Sequence, residues 1–179
     1  QLLTVATLTR RKAHDVLIAA LSGLRELPWQ ARFVGGGEFD PAWTAHLHSL
    51  VAQHDLRHRI TFVGALRDLR DEYRNADVFV LPSLFEGYGM VFAEALAFGL
   101  PVVAARAGAV PDVVPAGAGL LVEPGSVDAL QATLRSVLTD TALRQQLQQG
   151  ARAAAARLPT WEQAAHAVHK VIIKVSEPA

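Results

Sequence analysis

Short runs of almost purely apolar residues return along this chain, and most of them are closed by glycine or proline. Leu2–Ala6, Ala31–Val34, Ile60–Val63, Val78–Leu81, Pro101–Ala104 and Gly119–Val122 are such runs. They are too short for helices. Their apolar residues are consecutive rather than alternate, as in strands covered on both faces. Between them the spacing turns helical. Leu17, Ala20, Leu21, Leu24 and Leu27 recur on one helical face until Pro28 stops the run. Pro41 sits in the first turn of a predicted helix over Pro41–Gln53, Leu66–Asn75 reads as a short helix, and Met90–Phe98 ends at Gly99. Three more are predicted over Ser126–Leu138, Thr141–Arg157 and Trp161–Val175, with Ser126 and Thr160 as N-caps. Buried strands alternating with helices point to an α/β fold: a doubly wound, Rossmann-like parallel sheet of about six strands, helices on both faces, and added C-terminal helices.

Folds of this kind bind ligands beyond the carboxyl ends of their strands. The loops to inspect are therefore Thr7–His14, Gly35–Asp40, Gly64–Asp68, Pro82–Gly89 and Ala104–Pro111. Composition narrows what they bind. Residues are 51% hydrophobic and 19% charged, which excludes a disordered chain. Seventeen basic residues balance seventeen acidic ones, so binding to nucleic acid through bulk charge is excluded. Without cysteine there is no disulfide framework, thiolate metal site or cysteine nucleophile; a reducing compartment is permitted, and a cytoplasmic location is the expectation. No apolar stretch approaches the ~20 residues that span a bilayer. The 179 residues fit one domain. The chain opens at Gln1 on an apolar run, without Met or a signal peptide, so we expect a piece of a longer protein cut just before a strand.

The most informative segment is Pro82–Val103. Gly87 and Gly89 lie between a strand end and a helix start, where backbone can approach a ligand and free N–H groups can receive an anion. Glu94 is the single polar residue in the helix Met90–Phe98, and Glu86 precedes that helix by a few residues. A carboxylate on so apolar a helix needs a partner. Vicinal hydroxyls of a ribose and a sugar suit two carboxylates better than a phosphate does. The plainer alternatives are a core Glu94 bonded to a backbone N–H or a serine, and a solvated loop charge at Glu86.

In this segment, Ser83-Leu84-Phe85-Glu86-Gly87-Tyr88-Gly89 followed by Glu94 resembles the mark of the family 4 GT-B glycosyltransferases. Also similar are Ala97 to Val103, Val63-Gly64 before a short helix, Ala76-Asp77-Val78 before the fourth strand, and Gly108 with Pro111-Asp112 after the fifth. The resemblance covers nearly the whole chain in order. It implies that residues 1–179 are the nucleotide-sugar-binding C-terminal domain of a retaining glycosyltransferase of hexosyltransferase type, with the N-terminal acceptor domain absent. Glu94 would hold the ribose hydroxyls and Glu86 the donor sugar. Gly87, Gly89, Met90 and Val91 would hold the diphosphate and sugar through the backbone, Lys12 would pair with the diphosphate, and the loop Gly64–Leu66 would touch the base. The reaction would run on one face of the sugar, the leaving phosphate taking the acceptor proton, without metal or other cofactor.

Three positions depart from the family pattern. Thr7 stands where the family has an arginine, and Ala13 and Ala109 replace glycines. The cluster Arg10-Arg11-Lys12 opens a helix, where cations are mildly unfavourable unless an anion binds there. Two other readings stay open: a nucleotide-sugar epimerase or phosphorylase on the same fold, and a non-catalytic nucleotide-sugar-binding domain. Gly35-Gly36-Gly37 does not complete a dinucleotide fingerprint, because Asp40 stands at its last position. His46, His48, His54 and His58 gather around one helix with no completing carboxylate and read as a solvated face. Trp161 reads as a packing anchor, and Lys170 and Lys174 are too few charges to support membrane contact.

Overall fold

The computed structural model describes residues 1–158 and, beyond them, Glu162, Gln163, Ala165, His166, His169 and Lys170. The predicted last helix is described only at those later positions, which are helical and exposed. Thr160, Trp161 and Lys174 lie outside the described residues.

Six parallel strands form one sheet: β1 (Leu2–Val5), β2 (Ala31–Val34), β3 (Ile60–Gly64), β4 (Val78–Leu81), β5 (Val102–Ala105) and β6 (Gly119–Val122). Their order is β3-β2-β1-β4-β5-β6. The helices are α1 (His14–Ser22), α2 (Pro41–Gln53), α3 (Arg70–Arg74), α4 (Met90–Ala97), α5 (Val110–Val113), α6 (Val127–Thr139) and α7 (Thr141–Ala155). The doubly wound reading of the sequence therefore stands. Two details differ. The helix read as Leu66–Asn75 is only Arg70–Arg74, because residues 66–69 stay in the loop. The four-residue helix Val110–Val113, started by Pro111 at its first turn, falls in a stretch read as loop.

Successive strand residues face opposite cores, which is why the runs are apolar throughout. Leu2, Val78 and Val80 pack with Leu17, Leu21, Phe33, Leu47 and Leu134 under α1, α2 and α6. Leu3, Phe79 and Leu81 pack with Tyr73, Phe92, Leu96 and Ala151 under α3, α4 and α7. The sheet winds outward from β1 to β3 and then restarts at β4 beside β1. Paired residues between β1 and β4 are Leu2 with Val78 and Leu3 with Phe79. One residue on, the buried Thr4 hydroxyl donates to the Val80 carbonyl at 2.7 Å. The winding reverses between these two strands, and the crevice beyond their carboxyl ends is the place such folds reserve for ligands.

His14 begins α1 and is 1% exposed, its ring edge-on to Phe33 with centroids 5.4 Å apart. Among the described residues neither ring nitrogen has a hydrogen-bond partner. Burial, helped by the Lys12 charge, lowers its pKa from 6.5 to about 4. The unfolded chain takes a proton near 6.5 and the native one only near 4, so this contribution to stability is full above pH 6.5 and is lost as pH falls toward 4. The total is about 3 kcal/mol. Urea unfolding at pH 7, 5.5 and 4.5 should show a steeper loss in the parent than in His14→Leu; equal slopes would refute the buried neutral imidazole.

Candidate functional site

Two loops meet at the crevice. After β1 the chain makes a 3-10 turn over Arg10–Lys12 and passes through buried Ala13 in the left-handed region, φ 52°, before α1. That conformation explains why the related pattern has glycine there. Lys12 Nζ lies 2.6 Å from Glu86 Oε1, on the loop after β4. The same oxygen accepts from the Ser83 hydroxyl at 2.7 Å, leaving Oε2 without a protein hydrogen bond among the described residues. Glu86 is 4% exposed, so the alternative of a solvated loop charge is overturned. The backbone ties the loops as well: Leu84 N donates to the Arg11 carbonyl at 2.8 Å, and Arg11 Nη1 donates to the Phe85 carbonyl at 3.2 Å.

A third loop backs the glutamate. Ala109 N donates to the Glu86 carbonyl at 3.1 Å. Gly108, at φ 56°, lies so close that a Cβ would stand 1.9 Å from that carbonyl oxygen. Glycine satisfies both the backbone conformation and the contact there.

The helix starts differ in their caps, and the short helices α3 and α5 have no side-chain cap. The long helices α2, α6 and α7 are capped by side chains: Asp40 accepts from Trp43 N, Ser126 from Ala129 N, and Asp140 from Leu143 N. α1 begins two residues after Lys12 and α4 four residues after Glu86, and neither has a side-chain cap. Gly89, the N-cap of α4, sits at φ 75°. First-turn N–H groups without a cap, together with the helix dipole, favour an anion.

Glu94 stands one turn into α4 and is half-buried. Its Oε2 accepts from the Tyr73 hydroxyl at 2.8 Å. Tyr73 is 2% exposed, and burial, with Glu94 beside it, pushes its phenol far above the ordinary tyrosine range, so it stays a donor. The core alternative named a backbone N–H or a serine as partner; a tyrosine has that place. The signal was an aromatic hydroxyl in an otherwise charged helix, Arg70-Asp71-Glu72-Tyr73-Arg74. α3 is in turn held to β2 by a two-pronged pair, Arg32 Nε and Nη2 to Glu72 at 2.6 and 2.7 Å. Ser83, likewise, was within the motif but had been given no partner.

Gly64, the last residue of β3, and Leu66, both predicted to touch a base, are exposed, as are Gly87 and Met90, while Gly89 and Val91 are half-buried. Thr7 is exposed. Of the neighbouring arginines, Arg10 lies over the Trp43 ring at 4.4 Å and Arg11 donates to the Phe85 carbonyl. His46 and His48 are exposed, stacked or tilted on Trp43 and Phe62. Among the described residues no cluster of His, Asp or Glu is placed to hold a metal ion, and no helix is long and apolar enough to cross a membrane. A hollow of about 490 Å³ lined by Gln1, Pro28, Trp29, Gln30, His58 and Arg59 lies at the opposite, amino ends of the strands.

The family described as "Glycosyl transferases group 1" matches residues 1–154. The chain belongs to that family. It is 37% identical over 171 residues to a D-inositol 3-phosphate glycosyltransferase of Xylanimonas cellulosilytica, covering 93% of this chain and 40% of that protein. It spans from 19% to 40% of the length of the curated relatives it matches first. In structure it is similar to HepE of Anabaena in complex with UDP and glucose, with a TM-score of 0.86, 25% identity, and coverage of 95% of this chain and 47% of that one. It is similar also to the C-terminal domain of the group 1 glycosyl transferase LpcC of Francisella tularensis, with a TM-score of 0.79, 28% identity, and coverage of 87% and 84%. As a group 1 glycosyltransferase domain with a GT-B-type half, the chain carries the Lys12–Glu86 pair where its sheet reverses.

Lys12→Ala should lower stability by about 3 kcal/mol, because it leaves a buried carboxylate with only Ser83 beside it. Adding Glu86→Gln should recover most of that loss. Urea unfolding of the three proteins checks this; a Lys12→Ala variant as stable as the parent would show a pair too well solvated to matter.

Proposed function

We propose that residues 1–179 are the donor-binding, C-terminal domain of a retaining hexosyltransferase that uses a nucleotide-diphospho-sugar, UDP-linked in the first instance. Lys12 and the uncapped first turn of α4, at Gly89, Met90 and Val91, receive the diphosphate. Glu86 offers Oε2 to a sugar hydroxyl, Glu94 takes the ribose hydroxyls, and Gly64–Leu66 meets the base. The observation that carries this reading is the Lys12–Glu86 pair at the switch point, with an uncapped helix starting just after each partner.

In the proposed reaction the bond from the anomeric carbon to the phosphate oxygen breaks. The acceptor oxygen bonds that carbon on the same face, and its proton passes to the departing phosphate. The chain's part is electrostatic: cationic and N–H groups aimed at charge that grows on the leaving group. No metal is needed for that role. The acceptor and the rest of the cleft come from a preceding domain. The partial coverage of full-length relatives and the near-complete match to an isolated C-terminal domain support this division. The cysteine-free composition fits a cytoplasmic site of action.

Glu94→Ala would strand the buried Tyr73 hydroxyl, so Glu94→Gln, which keeps an acceptor there, is the cleaner probe. Calorimetric titration with UDP should show Glu94→Gln weaker by about 1.5 kcal/mol or more, since bonds to a charged acceptor are at stake. Its melting temperature should hardly move. Unchanged affinity with a lowered melting temperature would make Glu94 a structural charge.

A further inference from the structure

Glu94 has a flexible side chain, and a carboxylate that must be ordered on binding gives up rotamer freedom to do so. In this structure that ordering is already done. Tyr73 Oη lies 2.8 Å from Glu94 Oε2, and a carboxylate can only accept, so the phenol is the donor. The phenol ring is itself fixed. It stacks on Phe98 at 5.2 Å with 14° between planes and tilts against Phe79 at 6.1 Å. Its helix is bolted to β2 through Arg32 and Glu72. One carboxylate oxygen is thus taken by a rigid donor, and Oε1 is left without a protein hydrogen bond among the described residues. The same short helix follows, after partly buried Leu69, on the exposed residues 65–68 that leave β3.

We propose that Tyr73 is a positioning residue that holds Glu94 with Oε1 presented to the ribose, and so sets the preference of this site for ribonucleotides over 2′-deoxyribonucleotides. The proposal rests on the ribose reading of Glu94 given above. It assigns to α3 a second task besides packing: it carries the base-facing loop and the hydroxyl that aims the ribose carboxylate on one support. A tyrosine with a purely structural role would stabilise the domain without altering discrimination at the 2′ position.

The test is calorimetric titration of UDP and 2′-deoxy-UDP into the 179-residue chain, its Tyr73→Phe variant and its Glu94→Gln variant, with melting curves beside them. GDP and ADP with their 2′-deoxy counterparts serve if UDP does not bind. Tyr73→Phe keeps the ring and its stacking and leaves no buried group unpaired, because Glu94 is half open to solvent. The expected result is a ribose preference in the parent that drops by about three- to tenfold in Tyr73→Phe, mostly through weaker binding of the ribonucleotide. Glu94→Gln should lose the preference too. A preference lost in Glu94→Gln but intact in Tyr73→Phe overturns the positioning role and leaves the ribose reading standing. A preference unchanged in both, or no nucleotide bound by the parent, overturns the ribose reading and this proposal with it.

Discussion

The ion pair between Lys12 and Glu86 is the contact on which the functional end of this domain depends. It joins the loop after β1 to the loop after β4, the two strands between which the winding of the sheet reverses. Paired positions between those strands end at Leu3 and Phe79, and beyond them the Thr4 hydroxyl, the Leu84–Arg11 backbone bond and the ion pair join the two chains. Burying two charges costs several kcal/mol per ion, which mutual attraction and the Ser83 bond do little more than offset. Such a pair is a poor device for stability. It is a good device for keeping a cation and a carboxylate ready in a crevice. In the proposed function an incoming diphosphate would compete for Lys12 with more charge than Glu86 carries, and the released carboxylate would be free for a neutral hydroxyl.

The rest of the site follows the same electrostatic logic on a chain whose formal net charge is zero. Positive potential is local, drawn from Lys12 and from two helix starts without side-chain caps. α2, α6 and α7 carry Asp or Ser caps, and α3 and α5, like α1 and α4, carry none. Arg10 and Arg11 do not add to that potential as ligands, because one is laid over Trp43 and the other is tied to a carbonyl.

Much of this was legible in the sequence because it rests on patterns with a strong physical cause. Consecutive apolar residues at Val78–Leu81 and Val102–Val103 mean strands buried on two faces, and the structure has them so. Glycines at 89 and 108 mark places where the backbone leaves the usual φ range. The extent of α3 was not legible, since residues 66–69 carry helix-compatible side chains yet stay in the loop. Nor were the partners of the two glutamates. Glu86 and Ser83 are three residues apart, a local clue, but Tyr73 and Glu94 are brought together only by the packing of α3 beside α4. A hydrogen bond across twenty-one positions leaves no periodic trace.

The most direct test of the account is a crystal structure of this chain with UDP. The account predicts the diphosphate between Lys12 and the first turn of α4, with Lys12 Nζ within hydrogen-bond distance of a phosphate oxygen and the ribose hydroxyls on Glu94. A nucleotide bound elsewhere, with the Lys12–Glu86 contact intact and Glu94 touching only Tyr73, would contradict it.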